Sequence, residues 1–180
     1  MNLWKQIPTG DNPPSELNMI VEVTNGSRSK FEYKTDWEAF VLDRIVPSSV
    51  VFPVEYGFVP QTIWVDGDPL DIMALSFTPL AVGMVARVRV IGVLEMEDEK
   101  GLDSKILSVL ANDRRFEGYN DITDVQKHQL TEIQEFFSVY KRLEPCSFVK
   151  IIGWQNQAEA ENIVLQAIKS YQNLKQEKKK

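Results

Sequence analysis

The chain has 180 residues, 43% hydrophobic and 10% aromatic, which suits one domain with a substantial apolar core. Its formal net charge of −6 argues against a nucleic-acid partner, because phosphate backbones select for an excess of Lys and Arg. A single histidine, His128, and a single cysteine, Cys146, exclude Cys/His zinc sites and an internal disulfide, so chemistry here must rest on carboxylates, Lys, Arg, Tyr and hard metal ions.

The opening MNLWKQIPTGDNPP has no basic segment followed by an apolar run, and no stretch is apolar for long enough to span a bilayer. A cytoplasmic protein with no membrane partner is therefore expected, and the lone cysteine is consistent with a reducing compartment. The first strand is expected over ELNMIVEV, and a second over KFEYKTD, where Phe31 and Tyr33 alternate with Lys30, Glu32 and Lys34. Between them TNGSRS holds Asn-Gly, a strong turn signal. The stretch IMALSFTPLAVGMVARVRV reads as more strand, and MVARVRVIGVLEM as one long strand with Val88 and Val90 opposite Arg87 and Arg89. KILSVL and SFVKIIGW are two further strand candidates.

The last third has helical periodicity. VQKHQLTEIQEFFSVYKRL carries Leu130, Ile133, Phe137 and Tyr140 on one face, leaves His128 off that stripe, and stops before Pro145. NQAEAENIVLQAIKSYQNL opens with Asn156 and Glu159 at capping-box spacing and presents Ile163, Ala167, Tyr171 and Leu174 together. No repeat or linker divides residues 1–180, and a frayed Lys-rich tail is expected over about 175–180. Strands followed by helices predict an α+β fold, its many short strands closed into a small barrel.

Two acidic clusters carry the chemistry. In WVDGDPLDIM, Asp66, Asp68 and Asp71 lie within six residues, and each close carboxylate pair at about 4 Å costs on the order of 4 kcal/mol at an effective dielectric near 20. EMEDEKGLDSK adds Glu95, Glu97, Asp98, Glu99 and Asp103 at the end of the long strand. Each alone reads as a solvated loop; two together suggest a shared oxygen-only cation site suited to Mg²⁺. An EF-hand is excluded, because Asp71 stands where its loop needs Gly and Phe77 where it needs Glu. A phosphatase with Asp66 as covalent nucleophile would need a helix-rich α/β domain after the motif, where strand is expected. A non-enzymatic barrel with a divalent-cation site is the remaining alternative.

DGDPLDI, Asp66 to Ile72, resembles the signature of the soluble family I inorganic pyrophosphatases at every position. MEDEKGLDSK is similar to the second acidic loop of the bacterial members, and KFE, LDR, YGFVPQT, FFSVYKRLEP and GW match further segments in order. The resemblance implies a five-stranded, OB-like closed barrel flanked by helices. It also implies Mg²⁺-dependent hydrolysis of pyrophosphate to two orthophosphates by activated water, without a covalent intermediate. By the same resemblance Asp66, Asp71 and Asp103 hold the tightest metals, with Asp98 and Glu32 serving others, and Asp68 is the base for the attacking water. Lys30, Arg44, Tyr56, Lys105, Tyr140 and Lys141 contact phosphate, and Glu22 lies beside the metal–water network. Many bacterial members are hexamers, so a homo-oligomer is the implied assembly.

The departures from the family pattern are specific. Phe52 replaces a usual Tyr and removes a phenolic hydrogen bond, and Glu55 replaces a usual Asn, placing a carboxylate beside Tyr56 where it is expected near the cleft. Glu38 stands where glycine is common. Glu135 and Val139 occupy positions where some bacterial relatives carry histidines at subunit contacts.

Overall fold

A computed structural model describes residues 1–145 and 147–177; Cys146 and the end of the Lys-rich tail, 178–180, lie outside the described residues. Among the described residues eight strands form, β1 (Glu16–Val23), β2 (Ser29–Lys34), β3 (Ala39–Ile45), β4 (Glu55–Phe58), β5 (Asp71–Leu75), β6 (Val85–Asp98), β7 (Gly101–Leu110) and β8 (Val149–Gln155). A short α1 (Leu3–Gln6) precedes them, and α2 (Lys127–Val139) and α3 (Gln157–Glu177) are the two long helices.

The fold is α+β, as expected, with five strands closed into a ring in the order β1-β4-β5-β7-β6. Antiparallel pairing of β1 with β6, from Glu16 opposite Arg89 to Ile20 opposite Val85, seals the ring. β5 and β7 run parallel; the other pairings in the ring are antiparallel. The 14-residue β6 serves two neighbours along one edge, β1 through Val85–Arg89 and β8 through Val93–Asp98. β2 and β3 form a separate antiparallel hairpin.

A bulge at Val90–Gly92 lies between these two stretches, and its extra residue reverses which side chains face which side. Val88 and Val90 before it and Val93 after it face one core, so even positions give way to odd ones, while Ile91, Leu94 and Met96 face the other. Gly92 is required there, since a Cβ would lie 2.9 Å from both the Gln155 carbonyl and the Ile122 side chain. One core joins Leu17, Met19, Ile72 and Ile106 to Ala160, Ile163, Val164 and Ala167 of α3. The other joins Met73, Leu107 and Val109 to Ile133, Phe136 and Phe137 of α2. Each fully buried aliphatic side chain contributes about 1.5–3 kcal/mol, so both helices are held by these faces.

The helix expectations hold with shifted ends. Asn156 accepts from the Glu159 amide at 3.1 Å and caps α3, whose buried face includes Ile163, Ala167 and Tyr171. α3 runs to Glu177, so the first residues of the expected frayed tail are helical. α2 ends at Val139, earlier than Leu143, and the chain tightens into i→i−3 bonds: Arg142 to Val139 at 2.9 Å and Glu144 to Lys141 at 2.8 Å. Pro145 disfavours helical geometry at Glu144, and the tightened turn frees Lys141 from the helical line. His128 is solvent-exposed, as its place off the apolar stripe implies.

Candidate active site

The elements converge on one cleft of about 340 Å³. β1 brings Glu22, β2 brings Lys30 and Glu32, and β3 brings Arg44, whose backbone pairs with Lys30 across the hairpin. Tyr56 comes from β4, Asp66 and Asp68 from the loop after it, and Asp71 from the first position of β5. Asp98 closes β6, while Asp103 and Lys105 lie two residues apart on β7 and share a face. Tyr140 and Lys141 arrive from the end of α2. Every residue singled out from the sequence as catalytic, metal-holding or phosphate-contacting therefore lines this cleft.

Local structure explains the loop. Gly67 has φ +88°, and its amide bonds the Trp64 carbonyl at 3.0 Å while the Trp64 amide bonds Asp68 at 2.8 Å. The Asp66 carboxylate accepts the Asp68 amide at 3.1 Å, which closes an Asx turn.

Lys105 is the electrostatic centre. Its side chain is 2% exposed, and its ammonium donates to Asp71 at 2.8 Å, Asp103 at 2.9 Å and Tyr56 at 3.1 Å. The Tyr56 hydroxyl itself donates to Asp71 at 2.5 Å. Burial opposes the Lys105 charge, but Asp103 and Asp71 outweigh it and hold the ammonium well above its usual range. Burial raises the Asp103 carboxyl, an effect that Lys105 restrains. Burial also raises Asp66, and lifts the hydroxyls of Tyr56 and Tyr140 so that both stay neutral donors.

The other cations are also paired with acids. Lys30 donates to Glu32 at 2.6 Å and Asp43 at 3.4 Å, and Lys34 donates to Glu32 at 2.6 Å. Burial alone would raise Glu32, yet Lys30 and Lys34 bring it down to about 2. Arg44 bridges Asp43 at 2.7 Å and Glu144 at 2.6 Å. Lys141 bridges Asp98 at 3.0 Å and Glu99 at 3.2 Å; burial would raise Asp98, but the Lys100 amide and Lys141 lower it. Glu22 accepts the Tyr33 amide at 2.7 Å, and burial, with Asp71 and Glu32 adding to it, pushes its carboxyl up to about 8.

Four contacts were not expected. Lys100 reaches Asp68 at 3.3 Å from the β6–β7 turn, Lys34 binds Glu32, and Asp43 and Glu144 hold Arg44. Lys34 was legible, since it shares the strand face of Lys30 and Glu32; Glu144 was not, because it meets Arg44 across 100 residues. Glu55 corrects an expectation. It faces away from the cleft, fully buried, with one carboxylate oxygen accepting the Leu80 amide at 3.2 Å. Adjacent strand residues point to opposite faces, and Tyr56 holds the cleft side. Phe52 does line the cleft, packed at 4.6 Å between ring centres against Phe136 and at 5.5 Å against Tyr56. Glu38, at the usual glycine position, adopts the left-handed φ of +52°.

Comparison with known proteins matches the inorganic pyrophosphatase family model over residues 19–172. The chain belongs to the inorganic pyrophosphatase family. The inorganic pyrophosphatase of Thermus thermophilus is 44% identical over 169 residues, 93% of this chain and 97% of that protein. That of a Nostoc species is also 44% identical, covering 88% of this chain and 93% of its own. A crystal structure of the Thermus thermophilus pyrophosphatase superposes with a TM-score of 0.93, covering 96% of this chain and 99% of that one. The Helicobacter pylori pyrophosphatase is 35% identical with a TM-score of 0.90. The pyrophosphatase fold thus includes the five-stranded ring and two long helices described above. No helix among the described residues is long and apolar enough to cross a membrane.

The donor set fits a hard divalent cation. Asp71 and Asp103 already converge on one positive charge, the Lys105 ammonium, and all donors are oxygens. Among the described residues no three acidic, His or Cys side chains gather as a ready cluster, while Asp68 and Asp98 are each paired with a lysine.

Proposed function

We propose that the chain hydrolyses inorganic pyrophosphate to two orthophosphates with Mg²⁺, acting through water without a covalent intermediate. The observation that carries this reading is one cleft lined by both carboxylates and cations on the positions matching the family motifs. Pyrophosphate is a dense anion, and a site for it must neutralise charge while holding the reacting groups in line. Mg²⁺ held by Asp66, Asp71 and Asp103, with Asp98 and Glu32 as further oxygen donors, would supply Lewis acidity toward phosphoryl oxygens and water.

The chain's own groups do the rest. Lys30, Arg44, Lys105 and Lys141 are charged donors for phosphate oxygens, and Tyr56 and Tyr140 are neutral ones. Asp68, 65% exposed and paired among the described residues only with Lys100, would take a proton from the attacking water as its oxygen bonds phosphorus. The bridging P–O bond breaks and the second phosphate leaves. Glu22, protonated near neutrality, sits beside Asp71 without adding a further negative charge. The whole chain acts as one domain in the cytoplasm, as a homo-oligomer.

The test is orthophosphate release from pyrophosphate with and without Mg²⁺, beside a panel of phosphomonoesters. Release from pyrophosphate alone, abolished by chelation, is the expected outcome. Equal turnover of phosphomonoesters would replace this reading with a general phosphatase.

A further inference from the structure

The loop that carries the aspartates is closed at its neck by one hydroxyl. Thr62 is fully buried, and its hydroxyl donates to the Val59 carbonyl at 2.6 Å and accepts the Leu70 amide at 3.0 Å. These two partners flank the segment from which Asp66 and Asp68 project, and Leu70 adjoins Asp71. The Val59 amide also bonds the Leu70 carbonyl at 2.9 Å, so the β4–β5 ladder continues into the neck and ends on Thr62. The loop backbone is further pinned from two sides. The Trp4 indole donates to the Thr62 carbonyl at 2.9 Å, the Gln61 amide donates to Trp4 at 2.9 Å, and the Ile63 amide donates to Ala167 in α3 at 3.0 Å. Gln61 is held in the left-handed region at φ +56°, a conformation that persists only where surroundings enforce it.

We propose that Thr62 is a positioning residue for the reaction: its hydroxyl sets the spacing of Asp66, Asp68 and Asp71, and so sets divalent-cation affinity and the placement of the base. The inference rests on the reading that these aspartates form a cation and water site. A hydroxyl suits this neck because it donates and accepts at once, joining a carbonyl and an amide that face the same point. Removing it leaves two buried backbone groups without partners, and the loop opens to satisfy them. Groups that orient metal-holding carboxylates through hydrogen bonds commonly change metal affinity roughly 10–100-fold when lost.

The experiment titrates the protein with Mg²⁺ alone in a calorimeter, for the unmutated chain, Thr62→Val and Thr62→Ser. Thr62→Val keeps the shape without the hydroxyl and is expected to bind Mg²⁺ roughly 10–100-fold more weakly. Thr62→Ser restores the hydroxyl and is expected to bind as the unmutated chain does. Equal affinity in Thr62→Val, or loss in Thr62→Ser as large as in Thr62→Val, overturns the role. Failure of the unmutated chain to bind Mg²⁺ overturns the cation-site reading itself, and this proposal with it. Should Thr62→Val not fold, amide hydrogen exchange at Leu70 in the unmutated chain decides. With Mg²⁺ at 100 times its dissociation constant, coupling through Thr62 slows that exchange by up to about 100-fold. Unchanged exchange overturns the proposal.

Discussion

Lys105→Met tests the electrostatic centre of the cleft. Methionine retains most of the buried stem and removes the ammonium that joins Asp71, Asp103 and Tyr56. Breaking a buried ion pair by removing one partner costs about 3–5 kcal/mol, because the remaining charge is left uncompensated. Asp71 retains 30% exposure and Asp103 18%, so water screens part of the loss and the lower end, about 3 kcal/mol, applies. For a domain of this size each kcal/mol moves the melting temperature by about 2–4 °C, giving a fall of about 6–12 °C at pH 7 in chelator. The fall is expected to shrink near pH 4–5. Asp103, already raised by burial, rises further without Lys105 and takes up a proton that relieves the repulsion. Added Mg²⁺ should stabilise the variant more than the unmutated chain, because the ion no longer competes with an ammonium for the two carboxylates. Thermal unfolding at pH 7 and pH 4.5, with chelator and with Mg²⁺, measures all three. An unchanged melting temperature at pH 7, or a deficit independent of pH, would refute the reasoning.

Asp68→Asn should leave the unfolding temperature unchanged and lower turnover of pyrophosphate by roughly 10²–10⁴, as for loss of a general base; near-normal turnover removes Asp68 from that role. Glu55→Gln should be stabilising, and increasingly so as pH rises. Burial raises the folded-state pKa of Glu55 above its ordinary 4.5, so the protonated acid contributes fully below that pH and loses its contribution as pH climbs toward the folded value. Urea unfolding at pH 5 and pH 8 reads this, and a gain that does not grow with pH contradicts it. Glu144→Gln frees Arg44 from an acid 2.6 Å away; since such half-exposed pairs are worth about 0.2–1 kcal/mol, the KM for pyrophosphate should fall by up to about fivefold with kcat little changed. A raised KM would instead mean that Glu144 aims the guanidinium.

What could be read from the sequence was set by local pattern. Asp66, Asp68 and Asp71 lie within six residues and Asp98 and Asp103 within one hairpin, so each cluster is visible as a string, and each motif reports its own end of the cleft. The periodicity of α3 and its Asn156 cap were equally local. The closing of the ring was less so. It rests on β1 pairing with β6, from Glu16 opposite Arg89 to Ile20 opposite Val85, and two apolar strands so far apart in the chain do not announce that they are partners. Pairings across long stretches of chain, Arg44 with Glu144 and Lys100 with Asp68, carry no sequence signal at all. Glu55 shows the opposite case. Its neighbour Tyr56 was assigned to the cleft, and strand alternation alone would have turned Glu55 to the far side. The end of α2 was set by competition: apolar spacing favours helix through Tyr140, while Pro145 and the bond from Ser147 to the Lys141 carbonyl at 2.6 Å favour a turn.

Rapid-quench turnover of ³²P-labelled pyrophosphate by the Mg²⁺-loaded chain tests the central claim most directly, with free orthophosphate and protein-bound label counted in the same samples. The account predicts two orthophosphates for each pyrophosphate consumed, appearing together, with no label on the protein. Label retained on Asp66, or pyrophosphate left intact, would contradict it.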